Sequence, residues 1–286
     1  MFWLLFGLGC TTPQNQYTSS EQKDTTPNQG FEATEVSLLS AYFGLDNKLP
    51  EAADLLCAGG GGKDGMPIVF SNELDVSTVQ AGDFKVRKAS GRSGSVDCAT
   101  FLPAVDDGEL RTVLLIGEFG NATDDPPAMA RIVGNIHDIQ QRANFKGQSV
   151  AVTPLAAGPF LVRAEVVKIS SATGTKPTTG PFGSRCPDST VSAIRVVWSG
   201  GITKPGGAPA TLEEGKRYQV TLQSVDGTKT QIAPFFLADT GDGDNNHLLC
   251  LDQQGTPTAV SFPAGHLTDP NEDAKNSATS VPVHTQ

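Results

Sequence analysis

Two hydrophobic rhythms divide this chain. Over Phe31–Leu56, the residues Ala33, Val36, Leu38, Leu39, Ala41, Tyr42 and Phe43 alternate with polar ones at helix-like spacing, and Thr34 stands where a cap belongs. That spacing predicts a short N-terminal helical segment. Gly44 and Pro50 interrupt it, and Glu51–Leu56 reads as a second short turn. From Met66 the period becomes that of strands. Pro67–Ser71, Phe84–Arg87, Arg111–Gly117, Arg131–Val133, Ser149–Val152 and Phe160–Val167 are short apolar or alternating runs separated by Gly, Pro, Asp and Asn turns. A second series follows in Ala193–Trp198, Arg217–Leu222 and Ile232–Leu237. Strands at this spacing predict an all-β chain built mainly as antiparallel β-sandwich.

The polar stretches set the expected organisation. Residues 11–30 are rich in Thr, Gln, Asn, Ser and Pro, a composition that cannot bury enough surface to fold and serves as a tether. A Thr, Gly, Pro and Ser-rich stretch at 168–190 reads as a linker or long loop, and 269–286 as a mobile tail. The expected division is a helix plus β-sandwich domain at 31–167 and a second β domain at 191–268. No residue-level repeat links the two.

Composition then excludes several classes. The chain has 286 residues, with 21 Lys and Arg against 31 Asp and Glu and a formal charge of −10. That acidity speaks against nucleic acid as a partner, because phosphate neutralisation needs clustered cations. Its 31 Gly and 19 Pro are too many for a helical bundle. No run of about 20 apolar residues is present, so nothing reads as a membrane-spanning helix. Gly59–Gly62 with Lys63 is not a phosphate loop, since Asp64 stands where that motif needs Ser or Thr.

Two resemblances add context. Met1–Cys10 is a short apolar run ending in Gly9 and Cys10 and followed by abruptly polar sequence. It resembles a bacterial lipoprotein leader, with Gly7 standing where that family usually carries Leu. The resemblance implies lipidation at Cys10, a membrane partner through that anchor and residence in the bacterial cell envelope; ordinary export and a cytosolic chain with an apolar tail are the alternatives. Val69–Asp75, Thr78–Val79, Asp83–Val86 and Ser90–Gly91 together look like the bacterial Ig-like domains of surface-layer and adhesin-type proteins. That likeness covers about residues 65–95. It implies a sandwich used as a spacer, or as a binding module for a protein or surface polymer, and no catalytic residues.

Cysteines and donor-rich loops supply the candidate chemistry. Apart from Cys10 there are Cys57, Cys98, Cys186 and Cys250, an even number that suits an oxidising compartment and allows three connectivities. Local pairing, Cys57–Cys98 and Cys186–Cys250, would place one bridge in each half. Asp239-Thr240-Gly241-Asp242-Gly243-Asp244-Asn245-Asn246-His247 offers hard oxygen donors on a flexible loop, as calcium requires. Asp239, Asp242, Asp244 and Asn246 are the candidate ligands. The pattern departs from an EF-hand, with His247 in place of Gly and Gln253 in place of the bidentate Glu, and a solvated turn is the competing reading. The expected function is a non-catalytic, lipid-anchored binding or spacer module stabilised by calcium. The alternative is a secreted hydrolase using Asp242, Asp244, His247 or Ser199, with His266 a further base. Its best nucleophile, Ser199, precedes Gly200–Gly201, whose N–H groups lie open to an oxyanion.

Overall fold

The computed structural model describes residues 36–173, 184–272 and 274–285. The leader with Cys10 and the 11–30 tether therefore lie outside the described residues. Among the described residues the chain is almost entirely β and forms two sheets, one of seven strands and one of eight. The first contains β1 (Leu38–Tyr42), β2 (Asp64–Phe70), β3 (Phe84–Lys88), β4 (Ser95–Thr100), β5 (Thr112–Glu118), β6 (Pro127–Ile132) and β7 (Ser149–Thr153). The second contains β8 (Leu161–Val167), β9 (Ser192–Trp198), β10 (Gln219–Gln223), β11 (Lys229–Ile232), β12 (Phe236–Ala238), β13 (Asn246–Leu251), β14 (Thr256–Phe262) and β15 (Thr279–His284).

Strand order exposes a repeat that residue identity hides. The first sheet runs β3-β6-β7-β1-β2-β5-β4 and the second β11-β10-β14-β15-β8-β9-β13-β12. In each, the first strand pairs in parallel with the last, β1 with β7 and β8 with β15. On one side of that pair lie strands two, five and four of the first domain, or their counterparts in the second. On the other side lie strands six and three, or their counterparts. This is the A-B-E-D and G-F-C wiring of an immunoglobulin-type sandwich, with β11 as an extra edge strand in the second copy. Side chains from both halves meet in one core in the first domain, where Met66, Ile68, Phe70, Val113 and Leu115 pack against Phe84, Val86, Ala130 and Ile132.

Three sequence expectations change. The helix expected from Phe31 is, in its described part, strand β1, while Glu51–Leu55 is a short 3-10 turn as expected. The run Leu38–Phe43 is apolar except for Ser40, itself buried, because β1 is covered on both faces, and such a run has little period by which to tell strand from helix. Pairing of β1 with β2 stops after Ala41–Ile68, at the level of Pro67, which has no N–H to donate, and resumes at the Leu45–Gly65 bridge. Next, the domain division falls at 154–160. Strand β8 opens the second domain, so the 168–190 stretch lies between two strands of one sheet, with 174–183 outside the described residues. Gly158 in this connection has a φ of 67°, and a Cβ there would meet the Lys275 carbonyl at 2.1 Å. Finally, the expected tail ends in β15, which lies between β14 and β8.

Cys186 and Cys250 form a disulfide in the second domain, as local pairing predicts. Cys57 and Cys98 do not. They remain thiols, set side by side so that burial and the Cys57 neighbour push the Cys98 thiol up to about 12.

Candidate functional site: an acidic corner between the domains

The two sandwiches meet through polar side chains. Each buried apolar cluster draws its members from one domain only. Arg111, which precedes β5, reaches across to Glu165 on β8 at 2.9 Å, with both side chains buried; Arg163 holds the other carboxylate oxygen at 2.9 Å. Tyr42 Oη donates to Asp269 at 3.1 Å, and Asn245 Nδ2 donates to Thr112 Oγ1 at 3.1 Å.

Beside these contacts lies a cluster of carboxylates. Two loops at equivalent places in the two sandwiches supply it: residues 101–111 between β4 and β5, and 239–245 between β12 and β13. Asp106 from the first loop and Asp239 and Asp242 from the second bring carboxylate oxygens within 4.8 Å of one another. Asp239 leaves β12 in a left-handed conformation with φ 59°, which turns the loop back towards the first domain; its N–H is held by the Ser184 carbonyl at 3.0 Å. Asp244 is buried beside them, and its two oxygens accept from the Asn246 N–H and Nδ2, both at 2.8 Å. Glu109, only 1% exposed, accepts from the Asp106 N–H through Oε2, and its carboxyl pairs with that of Asp239.

A cation faces this cluster. Arg195 on β9 lies 3.9 Å from Glu109 Oε1 and donates to the Asp107 carbonyl at 2.6 Å. Gly108 makes that approach feasible: its φ is 90°, and a Cβ there would stand 1.8 Å from the Arg195 guanidinium. One guanidinium at this range does not neutralise the group. Burial first, then the charges of Asp244 and Asp239, hold the Glu109 carboxyl well above its ordinary range. Burial followed by Asp242 and Asp239 does the same to Asp244, and Asp239 is raised mainly by burial.

Of the four ligands expected from sequence, Asp239 and Asp242 join Asp106 in the cluster. Asp244 is engaged by Asn246, and Asn246 keeps a buried Oδ1 with no hydrogen-bond partner. Asp106 and Glu109 escaped the sequence reading. Their signal was the Asp-Asp-Gly-Glu run at 106–109, which has the composition of the 239–244 loop but points to no partner loop.

The hydrolase residues occupy different surroundings. Ser199 is buried, and its Oγ accepts from the Phe160 N–H at 3.2 Å. His247 is buried too; Trp198 Nε1 donates to Tyr218 Oη at 2.9 Å, and that hydroxyl lies 2.8 Å from His247 Nδ1. Burial lowers the His247 imidazole to about 3, so it is neutral and accepts the tyrosine proton. His266 Nε2 lies 3.4 Å from Arg217 Nη1. Among the described residues no hydrogen bond joins Ser199 to a histidine.

A cavity of about 500 Å³ opens next to the acidic corner. Leu45, Leu49, Leu56, Phe101 and Leu114 line it from the first domain, and Gly200, Gly243 and Asp269 from the second. Leu55, 86% exposed, belongs to the same lining.

No family model matches the chain, and no curated protein matches it. Among solved structures it is similar to the N-terminal part of the bacterial S-layer protein SbsC, with 9% identity and a TM-score of 0.28. The alignment covers 87% of this chain and 44% of that one, so the chain spans less than half of that structure. A likeness at that TM-score carries no argument about fold or function. No helix among the described residues is long and apolar enough to cross a membrane.

Proposed function

We propose that this chain is an exported envelope protein, anchored by lipid on Cys10, whose two sandwiches act as a non-catalytic binding or spacer module with calcium held at the 239–246 loop. The observation that carries this reading is the pair of tandem Ig-type sandwiches with a disulfide between Cys186 and Cys250 in the second. Disulfides persist in oxidising compartments, which supports export. The lipoprotein-like Met1–Cys10 segment and the polar residues after it support the anchor and tether. The largely apolar cavity beside the domain junction gives a binding role a place to act.

Expression in a bacterial host, followed by intact mass measurement of the membrane fraction, tests the proposal. The expected product begins at an acylated Cys10, and Cys10→Ala releases the protein from the membrane. A chain that retains Met1 and fractionates with cytosol overturns it.

A further inference from the structure

The outer face of a sandwich sheet ordinarily meets water, so its positions are polar. Strand β5 departs from that rule. Val113 and Leu115 enter the first-domain core, while Leu114 and Ile116, on the opposite face, are apolar as well. Residues 43–63, between β1 and β2, cover that face, with Leu49 and Ala53 packed against Ile116 and Cys98 in a small apolar cluster of their own. The cover does not fill the space beneath it. A cavity of about 500 Å³ remains, and Gly200, Asp269 and Asn271 of the second domain complete its lining. That volume lies inside the range of about 300–1,000 Å³ typical of sites for small organic molecules. An apolar wall with nothing against it forfeits dispersion contacts that an occupant of matching chemistry restores.

The two domains give the lining different chemistry. Leu45, Leu49, Leu56 and Leu114 make the first-domain side hydrocarbon, whereas Asp269 and Asn271 bring polar groups to the second-domain side. Asp269 is already engaged, accepting from Tyr42 Oη and from the Asn271 N–H, both at 3.1 Å. The Asn271 side chain is different: its Nδ2 is buried with no hydrogen-bond partner. A buried donor left unpaired is destabilising, and an acceptor oxygen brought in by a ligand satisfies it. The head of that ligand carries no negative charge, because the Asp269 carboxylate is bonded to the same residue. It carries no ammonium group either, since that has donors and no acceptor. Lys48 also belongs to the lining but is exposed, where water and salt screen its charge. We propose that the cavity binds a small uncharged aliphatic molecule bearing an acceptor oxygen, an alcohol, ester or amide, with its hydrocarbon against the four leucines and its oxygen on Asn271 Nδ2. This inference rests on the binding half of the functional reading and gives that binding a ligand class.

The test uses the full chain and the fluorescence rise of N-phenylnaphthylamine, an uncharged apolar probe, displaced by octanol, octanoate or octylamine at neutral pH. The native chain should bind the probe, and octanol should displace it at lower concentration than the carboxylate or the ammonium of the same chain length. Ala52→Trp, at an exposed position of the lining, should place an indole in the cavity and suppress probe binding while keeping the native circular dichroism. Asn271→Leu should still bind the probe but weaken octanol about 2–10-fold, the worth of one neutral hydrogen bond. No fluorescence rise with the native chain, or a rise that Ala52→Trp leaves unchanged, overturns the site. Octanoate or octylamine as the best competitor, or native octanol binding by Asn271→Leu, overturns the ligand class with the cavity intact. None of these results touches the spacer half of the functional reading, and the lipid anchor stands or falls on its own mass measurement.

Discussion

The two sandwiches share a wiring diagram and solve the same packing problem with different chemistry. In the first domain the core is aliphatic with phenylalanines, including Phe70, Phe84, Phe101, Phe119 and Phe145, whose rings have no polar tip to satisfy. In the second it is built around Trp198, Tyr218 and Phe262, and the polar tips of the first two form a buried chain ending on His247. The first keeps its cysteines as thiols; the second bridges Cys186 to Cys250. A core of pure hydrocarbon needs only volume, whereas a core with polar aromatics is sound only while every donor and acceptor is paired. The second domain should therefore be the more sensitive to acid and to reduction.

The largest separation is expected from acid. An imidazole near its ordinary value in the unfolded chain but lowered to about 3 in the fold binds its proton only on unfolding. Its contribution is complete above pH 6.5 and is lost as pH falls through about 3, amounting to about 5 kcal/mol at the acid end. Tyr218 is the group facing it, and the charge of Glu214 opposes the lowering. The difference in pH dependence between the native chain and His247→Gln should show this loss in the second-domain unfolding transition; parallel profiles would mean that the histidine is reached by water. Reduction comes next. The Cys186–Cys250 bridge spans 64 residues of sequence, and a loop of that size contributes about 4 kcal/mol by the chain-entropy estimate. Reductant, or the Cys186→Ser with Cys250→Ser pair, should lower the second transition and leave the first in place. A first transition that moves with reductant would show that Cys57 and Cys98 are bridged, erasing the contrast.

Smaller effects test what the two domains share. Arg111→Met leaves Glu165 buried with Arg163 alone, and breaking such a pair costs about 3 kcal/mol. That loss should appear in both calorimetric transitions, because the pair joins the domains; confined to one, it would show that the junction transmits nothing. Smallest of all, Cys57→Ala should change first-domain stability by less than about 1 kcal/mol, since the side chain is only partly buried and unbridged. A larger drop in non-reducing unfolding curves would contradict that reading.

The all-β class, the two domains and most strands were legible in residue order. Alternation in Phe84–Lys88 and near-continuous apolarity in Thr112–Glu118 report, respectively, a strand with one wet face and a strand buried on both. The same signals misled at Leu38–Tyr42, where burial on both faces erased the period. They also failed at the C-terminus, where Thr279–His284 alternates half-buried and exposed residues and is strand only because β14 and β8 flank it. Half of the acidic site was legible as well: a Gly-rich loop with Asp239 and Asp242 announces oxygen donors by composition alone.

By itself, then, the sequence determined the local preferences: where most strands start and turn, and which loop carries carboxylates. Tertiary structure decided everything that depends on residues far apart meeting. It joined Asp106 to Asp239 across 133 positions, left Cys57 and Cys98 as neighbouring thiols, buried His247 under Tyr218, and made one topology out of two halves with no visible repeat. The physical reason is that strand order and charge proximity are pairwise properties of the folded chain, and hydrophobic rhythm records only how each segment faces its own core.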